Sequence, residues 1–422
     1  MRVTLAYGTD GLSLEVPDDA TVVHGAEVAA LEDEGGAVRK ALRAPVSGPP
    51  LHRLVPATGR VVVVFPDITR PMPNTTVLPP LLAELEAAGA GPGRVELICA
   101  TGTNRQATPS EMASLIGDGV AARYRVRDHR ADDGEHVMVG EVEGEPVLLD
   151  RHYVEADLRI LTGFVEPHFF AGWSGGPKGA CPGLAATSTI LAAHSPERIA
   201  DAGATWMRTE GNPVHEFVTE ATALCPPALS LDVTIDRRRR LTAVFAGNLP
   251  DGHRQACAFA AACVTQPVEG RFDVVVTTNG GHPLDRNLYQ AVKGMAAAER
   301  VVRDGGVIVV AAACDDGVPE GAFAHILAAS SHPEELVQPD GPARQDGWQA
   351  QVLGRVLRRA EVWMYSDGLS EDDVRSAMLR PVHDLATAVQ AAMDHHGPGA
   401  RICVLPEGPL MVATPAGEVP GG

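Results

Sequence analysis

The chain has 422 residues, 45% hydrophobic and 21% charged, ordinary usage for a globular protein long enough for two domains. Its 54 acidic and 35 basic residues leave a formal charge of −19, a field that opposes binding to nucleic acid and anionic membranes, so neither is expected as a partner. No apolar run reaches about 18 residues, the N-terminus lacks a secretory core, and the seven cysteines form no C-x-x-C pair, so a soluble, cytoplasmic protein with free thiols is expected.

In chain order, Val3 to Tyr7 and Leu12 to Val16 read as a hairpin around Gly8-Thr9-Asp10-Gly11. A polar, proline-rich passage runs to residue 58. The strand RVVVVF, a helix near 77–88 and the strand RVELICA then repeat βαβ grammar, which returns with LRILTGF. Residues 137–149 alternate like an inserted hairpin. A helix at 213–223, the strands LSLDVTID and LTAVFAG, and a helix at 251–264 complete a first domain. A polar break at Gln266–Gly270 precedes a second: strand 272–278, helix 287–302, strand 307–313, helix 345–358, strand 361–365 and helix 382–393. The closing ARICVLPEG is a further strand that either domain could take. The expectation is an α/β protein of two α/β domains, 1–268 and 269–422, with largely parallel sheets. Ligands are expected where such sheets hold them, at strand C-termini and in the cleft between the domains.

Residues 163–198, GFVEPHFFAGWSGGPKGACPGLAATSTILAAHSPER, carry the chemistry. They gather His168, Lys178 and His194 around a glycine-rich turn at the end of an apolar run. A phosphate cradle of P-loop type is excluded, because Pro177 removes a donor directly before the lysine and Gly179 stands where a hydroxyl should hold magnesium. The G-x-G-x-x-G fingerprint of dinucleotide binding is missing as well. A lysine screened from water loses its charge more readily and can form a covalent link.

This stretch resembles the signature of the lactate racemase family, whose members hold a nickel pincer nucleotide on the lysine of HxFxGxSGGxK. The resemblance implies that Lys178 tethers the cofactor, with Ser174 in the same motif, and that His194, sixteen residues on, ligates the nickel. It makes His168 a catalytic acid and base. PDITRP is similar to the family's carboxylate loop, with Asp67 and Arg70 matching, and GGHPLDRNLYQAVKGMAAAE is similar to a second-domain segment in which Tyr289, Gln290 and Lys293 face the site. Trp348 matches a substrate-packing tryptophan more loosely. The implied reaction inverts a 2-hydroxy acid: His168 takes the hydroxyl proton as hydride passes to the cofactor, and hydride returns to the other face of a transient keto acid. Separate maturation enzymes would be partners, since they build the cofactor.

One position departs from the pattern. The family's ATGTHR segment reads ATGTNR here, so Asn104 stands where another catalytic histidine is expected. An amide hydrogen-bonds a hydroxyl or carbonyl but takes up no proton near neutral pH. Symmetric two-base chemistry is therefore in doubt, and a substrate other than lactate, such as a polyhydroxylated acid, is expected. A cofactor-linked dehydrogenase and a non-catalytic cofactor-binding homologue are the alternatives.

Each residue also has a plainer reading. Asp67 and Arg70 could be a surface ion pair, worth ~0–1 kcal/mol. His168 alone could be a structural, hydrogen-bonded histidine. Gln290 and Lys293, three apart on a helix, could be solvated, and Tyr289 is expected to point elsewhere unless the turn is still open there. His282 could replace the missing base, against the plainer reading of an exposed turn histidine before Pro283.

Overall fold

The computed structural model describes residues 1–26, 28–338 and 341–417. They form two compact α/β units, each discontinuous in sequence. Of the described residues, one comprises 28–193 and 209–262; the other comprises 1–26, 194–208, 263–338 and 341–417.

The first unit is built on a six-stranded sheet in the order Leu241–Gly247, Leu229–Ile235, Leu158–Phe164, Val61–Pro66, Val95–Ala100, Arg125–Asp128. Only the pair 229–235 and 241–247 is antiparallel. The run VVVVF is buried at every position, as expected of a central parallel strand covered on both faces. Helix Asn74–Ala87 supplies Leu78, Leu81 and Leu85 to the core made with Val61, Val63, Phe65, Leu97 and Ile160. The expected hairpin is present as His136–Val142 and Glu145–Asp150. Helix Glu34–Arg43, capped by Asp33, lies within the passage read only as polar and proline-rich.

The second unit carries an all-parallel sheet in the order Arg380–Val382, Ala360–Tyr365, Val302–Ala311, Phe272–Thr278, Ile402–Leu405, Thr21–Val22. The closing strand is therefore internal to this sheet. A linear division at 268/269 does not describe these units, because the N-terminal segment belongs with the C-terminal sheet. Thr21 and Val22 pair with Cys403 and Val404, while the hairpin Arg2–Leu5 and Leu12–Glu15 buries Val3, Leu5 and Leu14 against Val274, Val276 and Val404. The break expected at Gln266–Gly270 is largely a strand, Thr265–Val268, paired with Val412–Pro415. All seven cysteines are free, and among the described residues no helix is long and apolar enough to cross a membrane.

Candidate functional site

In the first unit, three neighbouring parallel strands end in the three loops that carry the expected residues. Val61–Pro66 leads into Asp67 and Arg70, Val95–Ala100 into Asn104, and Leu158–Phe164 into His168, Ser174 and Lys178. Strand order thus gathers segments that are far apart in sequence, at the strand ends where open α/β sheets hold ligands.

Asp67 is buried and not part of a surface pair. Its carboxylate accepts hydrogen bonds from the Thr69 hydroxyl at 2.7 Å and from Asn104 Nδ2 at 2.9 Å. Burial pushes its pKa up, against the lowering effect of Thr69, Arg70 and Asn104. Arg70 turns to a different carboxylate: its Nη1 donates to Glu166 Oε1 at 3.0 Å. Glu166, absent from the expected set, sits two residues before His168 and joins the arginine loop to the lysine loop.

The lysine loop is held from inside. Pro167 and His168 pair with Trp173 and Gly172 in a short antiparallel turn. Ser174 Oγ donates to the Phe164 carbonyl at 2.6 Å and accepts from the Glu166 backbone at 2.9 Å, so the motif serine closes the loop. His168 is buried, stacked on Phe169 with centroids 4.8 Å apart and edge-on to Phe170 at 4.5 Å. The Ala171 N–H donates to His168 Nδ1 at 3.3 Å. Lys178 is half-buried in a single 3₁₀ turn, Gly176–Gly179, with Nζ 5.7 Å from the Phe170 ring centre. Gly183 ties this turn to the Asn104 loop, donating to the Lys178 carbonyl at 3.1 Å and accepting from Gly102 N–H at 3.0 Å.

The second unit brings together a smaller set. The His194 ring lies 4.9 Å from that of Trp348. Trp348 Nε1 donates to the Tyr289 hydroxyl at 3.0 Å, and Gln349 Nε2 donates to the Tyr289 carbonyl. Tyr289 lies inside helix Leu288–Glu299, one turn before Lys293, and packs edge-on to Phe323 at 5.3 Å; it therefore points at the tryptophan. Burial pushes the Asp346 carboxyl up, opposed by a hydrogen bond from Tyr289. Asn287 caps the helix by accepting from the Gln290 N–H at 3.0 Å, and Lys293 is half-buried. His282 is exposed, with its N–H bound to the Gly8 carbonyl, which matches the turn-histidine reading.

Sequence reasoning also missed a buried group beneath the lysine loop: Asp232, His253 and Cys257, with His215 alongside. One signal was available, an aspartate in the middle of the fully buried run of the strand LSLDVTI.

Taken unit by unit, the first offers the amine of Lys178 in a tight turn, chemistry that suits a covalent tether, and the second offers the imidazole of His194, chemistry that suits a metal ligand. Among the described residues no three His, Cys, Asp or Glu side chains gather as a metal site of their own.

Two family models match the chain: the lactate racemase N-terminal domain over residues 7–206 and the lactate racemase C-terminal domain over 268–413. The lactate racemase of Thermoanaerobacterium thermosaccharolyticum is 32% identical over 424 residues, covering 96% of this chain and 98% of that protein. That of Lactiplantibacillus plantarum is 32% identical over 378 residues, covering 88% and 89%. The solved lactate racemase apoprotein from T. thermosaccharolyticum superposes with a TM-score of 0.91, covering 98% of this chain and 100% of the other. A Thermotoga maritima protein, 16% identical with a TM-score of 0.71 over 90% of this chain and 98% of its own, shares the fold. The chain belongs to the lactate racemase family, a membership that supports a racemase, an isomerase, as its general activity.

Proposed function

We propose that the chain is a racemase or epimerase inverting the C2 centre of a 2-hydroxy acid, dependent on a nickel pincer nucleotide joined to Lys178, with a substrate other than lactate. The observation that carries the substrate claim is the bond from Asn104 Nδ2 to Asp67, which uses one of the amide's two N–H groups and orients the amide so that Oδ1 is the acceptor offered to a substrate hydroxyl.

When bound, the nucleotide supplies the acceptor and donor for hydride at C2. The rest falls to the chain's own groups. Arg70 holds the substrate carboxylate through its planar fork, and Glu166 fixes the guanidinium by its Nη1. Asp67 anchors the Asn104 amide. His168 exchanges the hydroxyl proton. Its bond from the Ala171 N–H favours the neutral ring with the proton on Nε2, a form that donates a hydrogen bond to a substrate oxygen. Taking a proton up at Nε2 requires the ring proton to move to Nδ1 and the Ala171 contact to give way. With an amide at 104, proton traffic is thus asymmetric. Lys178 would hold the cofactor, with Ser174 bracing the loop that presents it, His194 would ligate the nickel, and Tyr289, Gln290, Lys293 and Trp348 would contact substrate or cofactor. The proteins that build the cofactor are its expected partners.

The test is chiral analysis of a 2-hydroxy acid panel with matured protein in deuterated buffer. Inversion with the C2 hydrogen retained supports the reading. Deuterium at C2, or lactate as the best substrate, contradicts it. Stoichiometric keto acid would identify a dehydrogenase instead, a reading the lost base at Asn104 favours.

A further inference from the structure

We propose that Asp232 and His253 are positioning residues for Lys178, holding from beneath the glycine turn that presents the lysine amine. The proposal rests on the reading that Lys178 carries the cofactor.

Asp232 lies on the strand next to Leu158–Phe164, opposite Gly163. Its Oδ1 accepts from the Gly176 N–H at 2.9 Å, and its Oδ2 accepts from the Ser230 hydroxyl at 3.0 Å and lies 3.4 Å from His253 Nδ1. His253 and Cys257 stand one turn apart on helix Asp251–Val264, with Nε2 and Sγ 3.4 Å apart. His215 stacks nearly parallel to His253 at 6.3 Å and faces the Ala171 carbonyl through Nδ1 at 3.3 Å.

The fit is too close to be incidental. Gly175 and Gly176 have φ of 75° and 50°, which favours glycine, and a Cβ on Gly176 would lie 2.4 Å from the His253 ring. A Cβ on Gly175 would lie 2.8 Å from Asp232 Oδ1. The turn two residues before Lys178 therefore rests directly on a carboxylate and an imidazole, both buried. Burial opposes the charge on His253, but Cys257 and Asp232 outweigh it and push its pKa up to about 10. An ion pair buried at such cost adds little stability over apolar packing, but it sets one conformation where a hydrophobic floor would tolerate several. Here that conformation belongs to the backbone that delivers the lysine.

The experiment compares wild type, Asp232→Asn and His253→Gln. Asp232→Asn keeps an acceptor for Gly176 but loses the charge. In the apoprotein, Lys178 acetylation by an N-hydroxysuccinimide ester is followed by peptide mass mapping from neutral pH to about pH 10, with exposed Lys40 as internal reference. Folded variants are expected to acetylate Lys178 roughly threefold more slowly relative to Lys40, and to carry about a tenth of the wild-type cofactor adduct after maturation. Wild-type labelling and loading in both folded variants overturns the proposal. Should neither variant fold, the wild type decides: acetylation of Lys178 shifts the ring ¹⁵N resonances of His253, and unmoved resonances overturn the proposal. Altered labelling in the variants together with no adduct in the wild type leaves the positioning role standing and removes the cofactor reading.

Discussion

Asn104 and Asp67 are joined by a 2.9 Å hydrogen bond from the amide Nδ2 to the buried carboxylate. Asp67 is thus partnered by the residue standing where the family pattern places a histidine. Asn104→His is expected to raise activity on simple 2-hydroxy acids or shift preference toward them, measured as kcat/KM over a substrate panel. An unchanged profile contradicts the assignment of that position. Asn104→Ala leaves a buried carboxylate oxygen without its donor, and chemical denaturation should show a loss of about 1–3 kcal/mol.

Arg70 owes its orientation to Glu166. Arg70→Lys keeps the charge but loses the planar fork, so kcat/KM should fall by about 10–100-fold. Glu166→Gln should have a smaller effect, confined mainly to KM. Steady-state kinetics separate the two, and an Arg70→Lys variant with wild-type kinetics contradicts the carboxylate role.

Much of this arrangement was legible in the sequence, because it is local. The tight turn Gly8–Gly11, the buried run VVVVF and the HFFAGWSGGPK motif each bind neighbours in sequence to one shape. What escaped depends on pairings between distant segments. The two-residue strand Thr21–Val22 has no periodicity to read, yet its pairing with Cys403–Val404 places the N-terminus in the C-terminal unit. Asp232 and His253 reach the lysine turn from a strand and a helix that follow it by more than 50 residues, and only the buried aspartate in LSLDVTI hinted at them. Glu166 stood in plain view beside His168, but which cation it meets is settled by strand order.

His215 provides a pH test. Burial, followed by the neighbouring His253, lowers its pKa from 6.5 to about 4. Above pH 6.5 the ring is neutral in both folded and unfolded chains; as pH falls, the unfolded chain takes up the proton first. Stability is therefore lost between pH 6.5 and about 4, by on the order of 3 kcal/mol from this group. His215→Gln should flatten that part of the stability profile in denaturant titrations. An equally steep acid loss in the variant contradicts the assignment.

Trp348 and Tyr289 share one hydrogen bond, with His194 against the indole. Trp348→Phe and Tyr289→Phe should each cost about 0.5–1.5 kcal/mol in unfolding free energy, and the double variant less than their sum. Strict additivity in the double-mutant cycle would show that the bond contributes nothing.

The most direct measurement is peptide mass mapping with nickel quantification on protein produced alongside cofactor-maturation enzymes. The account predicts a covalent adduct on Lys178, about one nickel per chain, and loss of adduct and racemisation in Lys178→Ala. A chain that racemises its substrate with Lys178 unmodified and no nickel present would contradict it.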